Sequence, residues 1–186
     1  METLAPDKYI LLNTGTPIWT QFFTVAPLVV IGTKEGDGYD LAPKHMATPL
    51  GFGNYFGFVC TPDHCTYQNV KTHKAFTVSF PVPEQIIYAS LSASPRDSDN
   101  PKSEGILSVL PVWKAPNTDA PLIAEAYLYL ECSLFKIIDG FDENSIVAGK
   151  IETAFVHKDY RRSSEQDEQE LIKKNPLLAY LPEGRF

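Results

Sequence analysis

The chain has 186 residues, 44% of them hydrophobic, and its 11 Phe, 9 Tyr and 2 Trp supply enough apolar side chain for a folded core. Its formal net charge is −7 and its 16 Lys and Arg residues form no long cluster, which argues against binding along a nucleic-acid backbone. Three cysteines are an odd and sparse set that does not suit a secreted disulfide framework.

No apolar run approaches the ~20 residues of a membrane-spanning helix. The first residues, METLAPDKYILLNTG, lack a basic region followed by an apolar signal core, so the chain reads as soluble and cytoplasmic. A length within roughly 100–200 residues predicts one domain over residues 1–186. Fifteen prolines and 11 glycines spread along the chain predict many short elements joined by turns, which favours strands.

In chain order, residues 28–33 form a continuous apolar run, predicting a strand covered on both faces. A Gly-rich turn then leads to a loop over 40–46 built around Ala42-Pro43, and residues 56–60 predict a second apolar strand. Thr61-Pro62-Asp63 offers an N-cap, a proline at the first helical position and an acid in the first turn, predicting a helix to about residue 73. Phe76, Val78 and Phe80 alternate with Thr77 and Ser79, the pattern of a strand with one dry and one polar face.

Residues 83–93 predict a second helix with Ile86, Ile87 and Leu91 as its buried stripe, and 94–104 and 115–121 read as polar loops. Strands are expected over 126–138 and 146–157. In the first, Ala126, Leu128, Leu130, Cys132 and Leu134 share a face; in the second, Val147, Gly149, Ile151, Thr153 and Phe155 do. Ser163 or Ser164 caps a third helix, whose early acids and late Lys173 and Lys174 follow the macrodipole. The fold class is mainly β: one barrel-like domain with peripheral helices.

Three segments in a fixed order carry the candidate chemistry: Gly38-Tyr39-Asp40-Leu41-Ala42-Pro43, then Cys65-Thr66-Tyr67-Gln68-Asn69-Val70, then Phe76-Thr77-Val78-Ser79. They resemble the flavin reductase-like family, whose members carry a Gly-x-x-Asn-x-Ala-Pro loop, an Asp-Thr-x-x-Asn-Ile segment and a Phe-x-Val-Asn strand. The likeness continues through Pro121-Leu122-Ile123-Ala124-Glu125-Ala126, the hairpin over 142–149 and the tail over 176–186.

The resemblance implies an FMN-binding split β-barrel of six or seven strands and a homodimer with FMN at the subunit interface. It also implies oxidoreductase chemistry with NADH or NADPH as candidate donor and a small-molecule or protein redox partner. By the same likeness Asp40, Ala42, Pro43, Lys44, His45 and Met46 lie along the flavin ring. Thr61, Thr66 and Asn69 match the positions that hold the phosphate, with Cys60 and Cys65 adjacent, and Lys102 adds a positive charge to it. A phosphate dianion needs converging hydroxyls, backbone amides or a cation, which is the chemistry of that second set.

The sequence departs from the family pattern at three points. Asp40 replaces the usual Asn, Lys44-His45-Met46 replaces a Pro-Phe-Ser type of run, and Asn144 stands where a hairpin His is common. These departures keep three functions open: an FMN-dependent oxidoreductase, a non-enzymatic FMN-binding protein or electron carrier, and a flavin-free binding module. No residue is singled out as a catalytic acid or base, and no metal is expected. Cys60, His64 and Cys65 would need a remote fourth ligand to hold zinc. Gly51-Phe52-Gly53 with Gly57 leads into a strand rather than a helix, so it is no dinucleotide loop.

Overall fold

The computed structural model describes residues 8–93, 105, 108–163 and 167–181. Its main sheet has seven antiparallel strands in the order β3-β2-β6-β9-β10-β5-β4. In sequence these are β2 (Val29–Glu35), β3 (Gly38–Lys44), β4 (Ala47–Pro49), β5 (Tyr55–Cys60), β6 (Ala75–Phe80), β9 (Leu128–Phe141) and β10 (Asn144–Val156). Two ribbons flank it: β1 (Ala26–Pro27) pairs with β11 (Ala179–Tyr180), and β7 (Val112–Lys114) with β8 (Pro121–Ile123). The described helices are α1 (Cys65–His73), α2 (Ile86–Ser92) and α3 (Glu168–Lys174). The sheet curls as a split barrel, the mainly-β fold that the sequence predicts.

One connection determines how far the sheet curls. β3 ends at Lys44 on one edge of the sheet, and β4 begins at Ala47 on the other. His45 and Met46 therefore bridge the two edges, a span of at most ~11 Å for three residue steps. The Val59 amide donates to the Met46 carbonyl at 2.8 Å and fixes the crossing against β5.

The apolar run over 28–33 is buried on both faces, as its pattern predicts. Val29 and Ile31 join Phe56, Phe58, Phe76 and Val147 inside the curl. Leu28 and Val30 pack outward with Leu41, Ala89, Leu110 and Ile123. β6 departs from its predicted dry and polar faces, because Thr77 and Ser79 are as buried as their apolar neighbours. β8 covers them: the Thr77 hydroxyl donates to the Pro121 carbonyl at 2.5 Å, and the Ile123 amide donates to Ser79 Oγ at 3.0 Å. In β10, register shifts at Ala148/Gly149 and Ile151/Thr153 break the expected single face, so Val147 and Ala148 are both buried while Phe155 is exposed.

Several boundaries also move. Residues 38–44 form an edge strand rather than the start of a loop; an edge tolerates Pro43, which has no N–H to donate. α1 starts four residues after Thr61, whose hydroxyl donates to Asn144 Oδ1 at 3.2 Å instead of capping a helix. α2 buries Ala89 and Ser92, leaving Ile87 and Leu91 exposed. α3 is capped by Asp167, whose carboxylate accepts from the Gln169 and Glu170 amides, not by Ser163. The predicted polar loop over 94–104 lies outside the described residues, as does Ser164.

α1 packs on β2 and β3 through polar as well as apolar groups. Asn69 Nδ2 donates to Thr33 Oγ1 at 3.1 Å, and the Thr66 hydroxyl lies 3.5 Å from Asp40 Oδ2, all four residues being buried. Replacing Asn69 by Leu strips a buried Thr33 of its partner, so Asn69→Leu should lower stability by about 1–3 kcal/mol. Gly32→Ala should cost a similar ~1–3 kcal/mol by overpacking. There an added Cβ meets the Pro121 carbonyl and the Thr77 hydroxyl, and the carbonyl is backbone rather than the far end of a flexible side chain. Urea unfolding with an unchanged slope and a lowered midpoint is the expected result for both.

Candidate functional site

The crossing between the sheet edges opens on a cavity of about 730 Å³. β4 and β5 form its floor through Ala47, Thr48, Phe58 and Val59, and Ile146 of β10 continues it. His45 and Met46 stand at its rim. The outer wall comes from the arm before β1, through Trp19 and Val25, and from Tyr180 of β11. Pairing of Ala26 with Tyr180 carries the C-terminal tyrosine to this place. There its ring stacks on His45, with centroids 4.4 Å apart and planes inclined by 21°.

The electrostatics of the rim follow from this packing. Burial pushes the His45 imidazole below its usual pKa, and the adjacent Lys44 charge pushes it further the same way. The ring is therefore neutral near pH 7. None of the described residues lining the cavity is Lys, Arg, Asp or Glu. Its walls are apolar apart from three threonine hydroxyls, the Trp19 indole N–H, His45 and Tyr180.

A second, polar cluster lies immediately behind the rim. Burial raises the Cys60 thiol pKa, opposed by the Lys44 ammonium in hydrogen-bonding reach and by the Tyr67 amide, while Asp40 adds to the rise. Lys44 and Asp40 come from β3, Cys60 from the end of β5, and Tyr67 from α1. Thr61 follows Cys60 and is tied across to Asn144.

The structure thus brings the two sequence-predicted segments together and divides their residues between two settings. His45 and Met46 line the cavity, with Ala42, Pro43 and Lys44 leading into it along β3. Cys60 and Thr61 continue from Val59 of the floor. Asp40, Thr66 and Asn69 are buried in the polar layer between α1 and the sheet, and Cys65 opens α1. Lys102 lies outside the described residues.

Sequence reasoning missed Trp19, Val25 and Tyr180 as parts of the site. Tyr180 sits in the tail that carries the family likeness and could have been found there. The arm has no periodic pattern, so nothing local marks Trp19 or Val25.

The arrangement suits a ligand that is flat and apolar at one end and anionic at the other. A phosphate-bearing flavin, the group the resemblance implies, has a flat ring and an anionic end, and the residues present fit those two parts. A cavity of about 730 Å³ is within the ~300–1,000 Å³ of small-molecule sites, a neutral imidazole lies at its rim, and a cation stands just behind.

Solved structures share the fold at low identity. Flavoredoxin from Methanosarcina acetivorans is 20% identical, with a TM-score of 0.73 over 95% of this chain and 89% of that one. An FMN-binding protein from Thermus thermophilus, solved with bound 1-cyclohex-2-enone, is 16% identical, with a TM-score of 0.71 over 95% and 92%. An NADH:FAD oxidoreductase from Streptomyces globisporus is 18% identical, with a TM-score of 0.64 over 72% and 77%. No curated protein matches the sequence. Among the described residues no helix is long and apolar enough to cross a membrane. The model of the flavin reductase like domain matches residues 23–181, and the chain belongs to that family.

Proposed function

We propose that the chain is one FMN-binding domain of a cytoplasmic oxidoreductase, working as a homodimer with residues of both subunits around the flavin. The observation that carries this reading is the junction of an uncharged, apolar cavity with the Lys44–Cys60–Thr61 cluster at a single crossing of the chain. Family membership supports a flavin, and the FMN and NADH:FAD named for two structural neighbours agree with it.

In this reading Val59, Met46 and His45 would hold the ring, and Lys44, Thr61 and the first turn of α1 would hold the phosphate. When bound, FMN would supply the redox chemistry, and the residues of the chain would bind and orient it. His45 orients the ring by contact and holds no extra proton near pH 7. Tyr180, stacked on His45, shields that contact from water. Lys44 would give the phosphate a charge-assisted donor, and the Thr61 hydroxyl would give a second only by turning away from Asn144 Oδ1. Lys102 remains a proposed further cation for the phosphate. Either NADH or NADPH serves as donor, with a small molecule or a redox protein as acceptor.

One observation favours a second reading, a non-enzymatic FMN carrier. Asn144 stands where the family commonly has a His, and its side-chain oxygen is already engaged by Thr61 at 3.2 Å. An amide there offers no titratable proton. Anaerobic titration with NADH and NADPH separates the two: bleaching of the flavin bands marks a reductase, and unchanged bands mark a carrier.

The phosphate placement has its own test. Lys44→Met should weaken FMN binding by about 10–100-fold, from loss of ~1.5–3 kcal/mol of charge-assisted hydrogen bonding. Binding of riboflavin, which lacks the phosphate, should be unaffected. Equal losses for both ligands, in a variant whose thermal unfolding is unchanged, would place the phosphate elsewhere.

A further inference from the structure

The β9–β10 turn closes a ring of contacts around the junction that leads from β5 into α1. Ser145 pairs in register with Cys60 of β5 on one side and with Asp139 of β9 on the other. The Ser145 hydroxyl donates to Asp139 Oδ1 at 2.6 Å, and the Tyr67 phenol of α1 donates to the same oxygen at 3.1 Å. The Tyr67 amide in turn reaches the Cys60 thiol and closes the ring. All of its members belong to one chain, so the ring owes nothing to a partner subunit. Beside it, the Thr61–Asn144 bond ties the same turn to the first residue of the junction.

Asp139 is the pivot of this ring. Cys60, Tyr67 and Ser145 are buried, whereas Asp139 is exposed and reaches in with a single oxygen that two hydroxyls share. Removing it takes the acceptor from both hydroxyls at once. Residues 61–64 belong to no helix or strand and hang between two members of the ring, Cys60 and Tyr67.

We propose that Asp139 is a positioning residue for the flavin phosphate: by latching the β9–β10 turn to α1, it holds Thr61 and the first turn of α1 in place beside Lys44. The proposal rests on the FMN reading for the identity of the anion, and on the ring alone for the latch. Asp139 acts through Tyr67 and Ser145, since a carboxylate set directly against a dianion is repelled by it.

The test measures FMN and riboflavin binding to the full chain by flavin fluorescence, with hydrogen exchange of the flavin-free protein as a second readout. Asp139→Ala should weaken FMN binding about tenfold and leave riboflavin within about twofold. It should also speed amide exchange in the first turn of α1. Asp139→Asn keeps an oxygen that accepts from both hydroxyls, so it should return FMN affinity and exchange to the parent values. Tyr67→Phe removes one arm of the latch and should give a smaller loss in the same direction; if Asp139→Ala does not fold, this variant carries the comparison. An unchanged ratio of FMN to riboflavin affinity overturns the proposal. So does tighter FMN binding in both Asp139 variants, which would mark the carboxylate as a repulsive neighbour. If Lys44→Met lowers the ratio and Asp139→Ala does not, the FMN reading stands and the latch role fails. A parent chain that binds neither flavin overturns both.

Discussion

Everything in the candidate site depends on a two-residue crossing. His45 and Met46 carry the chain from one edge of the sheet to the other, so the curl can open no further than three residue steps allow. The Val59–Met46 hydrogen bond at 2.8 Å locks the crossing to the end of β5. The site is therefore built from strand ends held in a closed frame rather than from a free loop. That placement favours a fixed geometry, because a strand's backbone is held on both sides by its pairing.

Next to the crossing, the molecule uses two opposite environments within a few residues. Behind β3 lies a buried polar layer in which Asn69, Thr33, Thr66 and Asp40 face one another. Buried polar groups are tolerable only with partners, and this layer binds α1 to the sheet at the height of the rim. In front of β3 the cavity is apolar, and even its histidine is neutral. Lys44, the last residue of β3, lies at the join of the two, and its positive charge opposes the burial-driven rise of the Cys60 thiol on the polar side.

The legible parts of the fold were those in which burial leaves a mark on neighbouring residues. β2 reads from its unbroken apolar run, and β5 from a similar one. β9 and β10 read from alternation, although bulges displaced the face of β10. β3 escaped because Gly38, Asp40 and Pro43 are poor strand formers, and only its position at an edge makes them acceptable. Thr61 looked like a helix cap because a cap is a local signal. Its actual partner, Asn144, is 83 residues away. Met46 and His45 were reached through family likeness, whereas Trp19 and Val25 had no signal at all, since their contribution depends on where the arm is draped.

The same two environments decide how an elongated ligand of the proposed kind must lie. Turning its anionic end into the cavity would strip water from a dianion and return no cation, a cost of several kcal/mol or more. Turning its flat end toward Lys44 would leave apolar surface in water and place it against a polar cluster, forfeiting about 25 cal/mol for each Å² left exposed. Both errors act in one direction, so the orientation follows from the gradient of polarity along β3 and β5 without any single residue that recognises the ligand as a whole. The three substitutions at 44–46 leave that gradient intact: a cation at the inner position, a neutral aromatic ring next, and an apolar thioether at the mouth.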